Sequence, residues 1–248
     1  MTKMQRIFSP SIMCADFGKL REEIAMLDAA GADVFHIDIA DGEFVPNFAM
    51  SWCDVNAIRL ATQKPLGIHL MVKNPDIYLP YAFKNKIEVI SIHYEVGNTA
   101  NYLEEIKRNG VKAGLAVNPE TKLDEFYSLL SLVDHLLVMR VHPGFIGSPA
   151  VPEVENKLHQ LTQIKERKFK ISLDGAVSLE VIMKWNQKGV DEFVLGTASE
   201  VFGEKREGRP YFEIIKNLRS CTQRSSQIDL MQNEEMLLFP YYSERKAG

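Results

Sequence analysis

The stretch His36–Gly42 has the sequence HIDIADG, which is typical of a buried strand that runs into a loop. Alternate residues of a strand point to the same face of a sheet. His36 and Asp38 are therefore predicted to project together, while the two isoleucines of the stretch pack on the opposite face. An imidazole and a carboxylate would then stand side by side where this strand ends.

Short apolar strands of the same kind recur along the chain, each followed by a segment with helical spacing. They are apolar on both faces, as a parallel sheet covered on both sides requires. Eight strand–helix units predict an α/β fold of the (β/α)8 TIM-barrel type, with an open doubly wound sheet as the alternative. The predicted strands are 6–13, 33–38, 66–71, 87–93, 111–117, 135–141, 169–174 and 190–195.

Helix signals fill the segments between these strands. Asp16 and Ser178 are predicted N-caps, and Gly31 and Gly110 follow predicted helix ends. After the first helix, which lies between 16 and 31, the predicted helices are 51–62, 75–83, 99–109, 121–132, 151–167, 178–188 and 211–218.

The composition suits one soluble barrel, because 248 residues is a usual size for this fold, although two small domains would also fit. A net charge of -4 provides no general attraction for nucleic acid or for an anionic membrane. The three cysteines are widely spaced, which argues against a disulfide framework or a cysteine-rich zinc module. No stretch predicts a signal peptide or a transmembrane span, so a cytoplasmic location is expected.

The barrel domain is predicted to span 1–220, and the character of the chain changes after it. Residues 221–248 are first polar and then include the apolar run MLLFPYY at 236–242. This pattern predicts a C-terminal extension outside the barrel, which either docks on the barrel or a neighbouring subunit or is a frayed tail.

Four polar residues fall at the ends of predicted strands, where a TIM barrel carries its active site. They are His36, Asp38, His69 and Asp174. Carboxylates that converge on a cavity need a cation, and two histidines with two aspartates suit Zn, Mn, Fe or Co better than Mg or Ca. Taken singly, each residue also fits a core histidine or a turn-forming aspartate, so the spacing alone leaves both interpretations open.

Glycine-containing loops follow the last three predicted strands, at 144–148, 175–176 and 196–199. Glycine lets a backbone approach an anion closely, and the loops after strands seven and eight often bind phosphate in this fold. Ordinary strand-to-helix turns are the alternative interpretation.

Several motifs together resemble the ribulose-phosphate 3-epimerase family, from about Ser9 to Phe202. The motifs DGEFVPN at 41–47 and HLMV at 69–72 are highly specific in combination. The other matching pieces are SPSIM at 9–13, HID at 36–38, NPET at 118–121, VM at 138–139, HPGF at 142–145 and DG at 174–175.

The resemblance implies an isomerase of carbohydrate metabolism that converts D-ribulose 5-phosphate to D-xylulose 5-phosphate in the pentose phosphate pathway. One divalent metal ion would be held by His36, Asp38, His69 and Asp174. Zn is the expected metal, with Fe, Mn or Co as alternatives. Asp38 and Asp174 would exchange protons on opposite faces of the substrate through a metal-stabilised enediolate. Substrate contacts would come from Ser11, His69, Met71 and Met139, and phosphate contacts from Gly144, Gly147, Ser148, Gly175, Ala176, Gly196 and Thr197. His142 is expected either to contact the substrate or to form a hydrogen bond within its own loop.

The sequence departs from the family's usual pattern in four places. Ala40 replaces a third methionine, His142 replaces an asparagine, Ile146 and Ser148 replace a glycine and a glutamine, and Ala176 replaces a second glycine. Ala40 is expected to open space near the sugar, which makes D-allulose 6-phosphate the alternative substrate. Ser148 is expected to shorten one polar contact.

Two other classes of function remain as alternatives. A lyase on a related barrel would use an Asp-x-Lys-x-x-Asp set, whereas this chain has HLMVK at 69–73. A non-catalytic phosphosugar-binding protein is suggested by the altered phosphate loop and the extra C-terminus. The family also implies a homo-oligomer, either a dimer or a hexamer, and His93, His135 and His159 are expected to be structural.

Overall fold

The computed structural model describes residues 5–223, and they form one barrel of eight parallel strands. This confirms the predicted (β/α)8 architecture. The strands are β1 (Ile7–Pro10), β2 (Phe35–Ala40), β3 (Leu66–Met71), β4 (Val89–His93), β5 (Lys112–Val117), β6 (His135–Met139), β7 (Lys170–Asp174) and β8 (Glu192–Leu195).

Hydrogen-bonded pairing runs in sequence from β2 to β8 and then from β8 to β1. The barrel closes between β1 and β2 through a parallel bridge from Ser11 to His36. The register matters for function, because Asp38 pairs with His69 and Met139 pairs with Asp174 across neighbouring strands. The polar strand ends therefore lie at one level of the barrel.

Helices cover the outside of the barrel between successive strands. Ser51 and Asp54 form a capping box at the start of the second helix, and the Ser178 hydroxyl accepts a hydrogen bond from the Val181 N–H at the start of the seventh. The helices are α1 (Leu20–Ala29), α2 (Trp52–Ala61), α3 (Leu79–Lys84), α4 (Thr99–Arg108), α5 (Leu123–Phe126), α6 (Val154–Thr162), α7 (Leu179–Gln187) and α8 (211–223).

Several predicted bounds are wrong. The helix predicted over 121–132 divides into α5 and a 3-10 segment, Tyr127–Ser131. The helix predicted over 151–167 is shorter at both ends, and one of the residues after it, Glu166, has a left-handed φ of 55° that no α-helix accommodates. The last helix continues to 223 rather than ending at 218.

Helix α8 reinforces the junction between β1 and β2, where the barrel closes. Arg219 donates to the backbone oxygens of Arg6 and Gly31 at 2.6 and 3.0 Å, and it pairs with the carboxylate of Asp33. Its guanidinium lies 4.6 Å from the ring centroid of Phe8. One side chain of α8 thus binds the first strand to the turn before β2.

Among residues 5–223, none of the helices is long and apolar enough to cross a membrane. The first three residues of the predicted C-terminal extension belong to α8. The rest of that extension, 224–248, lies outside the described residues.

Candidate active site

Four side chains meet at the carboxyl ends of β2, β3 and β7: His36, Asp38, His69 and Asp174. Each offers one ligand atom, and these four atoms all lie within 4.8 Å of one another. Asp38 Oδ1 is 3.2 Å from His36 Nε2 and 3.0 Å from His69 Nδ1. Asp174 Oδ2 is 3.4 Å from His36 Nε2 and 3.6 Å from His69 Nδ1. The same-face prediction for His36 and Asp38 is thus confirmed by their contact.

Charge in this cluster is strongly coupled. Burial alone would lower the pKa of His36, but the carboxylates of Asp38 and Asp174 outweigh it and hold the pKa of His36 well above its ordinary value. Burial would raise the pKa of Asp38, yet His36 and His69 hold it far below its ordinary value. The Asp38 carboxylate is therefore stabilised in its charged form by the imidazoles beside it.

This donor set fits a divalent metal ion. Two imidazole nitrogens face two carboxylate oxygens in a buried site, so either protons or a cation must lie between them. Nitrogen and oxygen ligands of this mixture suit Zn and its transition-metal neighbours. The residues present can therefore hold the metal ion that the sequence predicts.

A cavity of about 410 Å³ opens above the cluster. Ser11 lies on its wall and donates a hydrogen bond of 2.8 Å to Asp38 Oδ2, which fixes that carboxylate. Met71 and Met139 are almost completely buried and contribute apolar lining. A small molecule that enters the cavity thus meets the carboxylates on one side and sulfur and methyl groups on another.

Another part of the lining is made by three glycine-containing loops after β6, β7 and β8. All seven residues predicted to bind phosphate lie here: Gly144, Gly147, Ser148, Gly175, Ala176, Gly196 and Thr197. The loop after β8 also brings Glu204 and Lys205 to the cavity, and the sequence analysis did not identify them. Their sequence pattern is not distinctive, because charged residues in a loop after the last strand are most often exposed to solvent.

Hydrogen bonds from two side chains, buried Arg140 and partly buried Asn47, hold these loops in position. Arg140, directly after β6, donates to the backbone oxygens of Gly175 and Ala176 at 3.2 and 2.6 Å. Asn47 donates a bond of 2.6 Å to the backbone oxygen of Gly144, so the loop after β2 holds the loop after β6. Sequence reasoning missed Arg140, since nothing in its local pattern separates it from a surface arginine.

His93, expected to be structural, contacts the candidate metal ligand His69. Their Nε2 atoms are 2.8 Å apart, and His93 Nδ1 is 3.0 Å from Glu95 Oε2. Burial lowers the pKa of His93 to about 4, although Glu95 opposes that shift. His93 is therefore neutral near pH 7, with one nitrogen able to accept and one able to donate.

Other singled-out residues lie away from the cavity lining. The His142 side chain is 69% exposed, and its Nε2 contacts Glu120 Oε1 at 2.6 Å. Its contact with substrate stays a prediction. Ala40 packs against Val45 and Met71 in a small apolar cluster, rather than lining the cavity. His135 pairs with Glu192 in the barrel interior, and the ring of His159 packs against Trp185.

Comparison with known proteins shows the family to which the chain belongs. Residues 7–202 match the model of the ribulose-phosphate 3 epimerase family. The chain belongs to the ribulose-phosphate 3-epimerase family. It is therefore an enzyme of the epimerase class, and its substrate is a sugar phosphate.

Curated epimerases resemble the chain over most of its length. It is 35% identical over 225 residues to the chloroplastic ribulose-5-phosphate-3-epimerase of Arabidopsis thaliana, covering 88% of this chain and 78% of that one. It is 35% identical to the ribulose-phosphate 3-epimerase of Synechocystis sp., covering 90% and 96%, and 35% identical to that of Bacillus subtilis, covering 83% and 96%.

Solved structures with much lower identity share the fold. A mutant tryptophan synthase α-subunit from Pyrococcus furiosus superposes with a TM-score of 0.63 at 14% identity, covering 89% of this chain and 99% of that one. Thiamine phosphate pyrophosphorylase from the same organism superposes with a TM-score of 0.59 at 13% identity, covering 89% and 96%. These likenesses concern the barrel alone.

Proposed function

We propose that this epimerase interconverts D-ribulose 5-phosphate and D-xylulose 5-phosphate with one divalent metal ion held by the four-residue cluster. Zn is the metal that we propose before Fe, Mn or Co. The observation that carries the proposal is the convergence of two carboxylates and two imidazoles within 4.8 Å beneath a cavity whose other wall is made of glycine-containing loops. The curated relatives are named for the same pentulose phosphate.

His36, Asp38, His69 and Asp174 would hold the metal ion. When bound, it would stabilise negative charge on the substrate oxygens next to the reacting carbon. The Ser11 hydroxyl holds Asp38 by its Oδ2 atom, so that carboxylate keeps one orientation while the substrate reacts.

The two aspartates would move the proton. The hydrogen on C3 of a 2-ketose phosphate is weakly acidic because the neighbouring carbonyl accepts the electron pair as an enediolate forms. One aspartate removes this proton, and the other, protonated, returns a proton to the opposite face. Two groups are needed because a single base would return the proton to the face that it left.

The remaining lining would orient and shield the substrate. The loops after β6, β7 and β8 receive the phosphate, which places C3 between the carboxylates at the other end of the cavity. Met71 and Met139 limit the water beside the reacting carbon, because their side chains are apolar and buried.

A side-by-side assay tests the proposal. The purified chain, stripped with a chelator and reloaded with Zn, Mn, Fe or Co, is given ribulose 5-phosphate or allulose 6-phosphate in D₂O. Deuterium at C3 of the pentulose and inversion to xylulose 5-phosphate are expected, with little activity before metal is returned. Faster turnover of the hexulose would support the alternative substrate, and binding without deuterium at C3 would overturn the reaction.

Asp174→Asn is the matched catalytic variant, since it keeps the shape of the side chain and removes the proton carrier. A loss of about 10²- to 10⁴-fold in kcat is expected.

A homo-oligomer, either a dimer or a hexamer, and a cytoplasmic location also stay predictions.

A further inference from the structure

His69 uses both of its ring nitrogens, and it is fully buried. Its Nδ1 atom faces the carboxylates of Asp38 and Asp174, and its Nε2 atom lies 2.8 Å from His93 Nε2. A nitrogen that binds a metal ion cannot carry a hydrogen. If Nδ1 is the ligand, the hydrogen of His69 must be on Nε2, directed at His93.

His93 is fully buried as well, so its two nitrogens must find partners inside the protein. Two nitrogens at 2.8 Å share one hydrogen, and His69 supplies it, so Nε2 of His93 must accept. Because an accepting nitrogen carries no hydrogen, the ring hydrogen of His93 is on Nδ1, where it is donated to Glu95 Oε2 at 3.0 Å. The two rings are inclined by only 29°, which suits a hydrogen bond close to both ring planes.

Glu95 is itself fixed by the loop after β5. Its Oε1 atom accepts the backbone N–H of Asn118 at 2.9 Å and the hydroxyl of Thr121. Buried Lys157 of α6 donates to the backbone oxygens of Pro119 and Thr121 at 3.0 and 2.7 Å. The Glu95 carboxylate is thus oriented by the loop after β5, and the ammonium group of Lys157 holds the backbone of that loop.

We propose that His93 and Glu95 are positioning residues that fix His69 as an Nδ1 metal ligand, through donation from His69 Nε2 to His93 and from His93 Nδ1 to Glu95. This inference rests on the metal site of the proposed function. It assigns roles to two residues outside the four ligands. Outer partners of this kind orient a ligating imidazole and increase its basicity.

The test compares Glu95→Gln with Glu120→Gln. Glu120 is a matched control, because it also contacts an imidazole, that of His142, but through an exposed side chain that does not line the cavity. The measured quantity is the Kd for Zn²⁺, from competition with a chromophoric chelator. Glu95→Gln is expected to weaken Zn²⁺ binding by about 10- to 100-fold, whereas Glu120→Gln leaves it within about two-fold of wild type.

A second measurement needs no variant. The chain has six histidines, and NMR of Zn²⁺-loaded wild-type protein labelled with [¹⁵N]histidine reports which nitrogen of each ring carries hydrogen. His69 is expected to bind metal through Nδ1 with hydrogen on Nε2, and His93 to carry hydrogen on Nδ1. Coordination of His69 through Nε2, or hydrogen on Nε2 of His93, would overturn the inference even if Glu95→Gln fails to fold.

The outcomes separate this inference from the proposed function. If wild-type protein binds no Zn²⁺, Mn²⁺, Fe²⁺ or Co²⁺, the metal site itself is wrong. If wild type binds Zn²⁺ and a folded Glu95→Gln, checked by circular dichroism, binds it equally well, only the roles of His93 and Glu95 are overturned.

Discussion

Lys205 brings a positive charge to a cavity that is otherwise lined, among the described residues, by carboxylates and neutral groups. The residue before it, Glu204, brings a negative charge to the same wall. Arg209 donates to the backbone oxygen of Lys205 at 2.8 Å, which holds the turn that carries both side chains. A phosphate dianion bound by the neighbouring loops would attract one of these side chains and repel the other.

Opposite effects are therefore expected from Lys205→Gln and Glu204→Gln. Attraction or repulsion of about 1 kcal/mol near the surface corresponds to a change in KM of about five-fold, upward for Lys205→Gln and downward for Glu204→Gln, with kcat nearly unchanged. Steady-state kinetics at low ionic strength measures both. Lys216→Gln, on the exposed side of α8, is the control, and equal shifts in one direction would contradict the assignment.

Cys14 also lines the cavity, and it is one of three free cysteines. Burial, and then the carboxylate of Asp38, raises the pKa of the Cys14 thiol to about 12. Because the thiolate is the reactive form, about one Cys14 side chain in 10⁴ is reactive at pH 8, and this fraction rises tenfold with each pH unit.

Alkylation by iodoacetamide should thus modify exposed Cys53 long before Cys14. Mass spectrometry of peptides after timed alkylation at pH 8 and pH 9 measures both sites. Modification of Cys14 as fast as that of Cys53 would show that Cys14 is neither buried nor electrostatically suppressed in solution.

At the scale of the element, the turn after β7 depends on the absence of a side chain at Gly175. This glycine has a left-handed φ of 91°, and a Cβ there would lie 2.4 Å from Cγ2 of Val141. Gly147 has a similar φ of 80°, but a Cβ there would meet nothing within 4 Å. The two glycines therefore separate backbone strain from steric overlap.

Gly147→Ala is expected to cost about 1 kcal/mol of folding free energy, from the left-handed conformation alone. Gly175→Ala should cost about 2–4 kcal/mol, because Val141 must also move. It should lower kcat by about 10²-fold as well, since the shift is transmitted to neighbouring Asp174. Urea unfolding and kcat measurements check this, and equal costs at the two positions would contradict it.

At the scale of the whole molecule, the barrel closes through few contacts between β1 and β2, and α8 reinforces that seam. Arg219 reaches Arg6, Gly31 and Asp33 while its guanidinium lies over Phe8. Its removal leaves the Asp33 carboxylate with fewer partners at the point where α8 packs beside β1 and the turn before β2. The stability of the closed barrel should therefore depend on this single side chain.

Arg219→Ala is expected to reduce the free energy of unfolding by about 2–4 kcal/mol, because it breaks a half-buried ion pair and two hydrogen bonds. Lys216→Ala, one turn earlier on α8, should change it by less than about 0.5 kcal/mol. Urea titration of the metal-free protein measures both. A loss as small as that of the control would mean that α8 does not close the barrel.

The sequence pattern alone predicted the architecture and singled out the four residues of the candidate metal site. Strand periodicity is a local property, so eight buried strands could be counted without any knowledge of contacts. The alternation of side chains along a strand also placed His36 and Asp38 on one face. His69 and Asp174 became the other two candidate ligands because they fall at the ends of predicted strands, and the motifs around them resemble those of the family.

Only the tertiary structure brought together residues that are far apart in the chain and carry no local signal. Three features are of this kind. They are the hydrogen bonds that link His69 through His93 to Glu95, the support of Gly175 by Arg140, and the position of Lys205 on the cavity wall. Each depends on the register between strands or on the path of a loop across the barrel mouth. Those features follow from the packing of the whole chain, which no periodicity within one segment records.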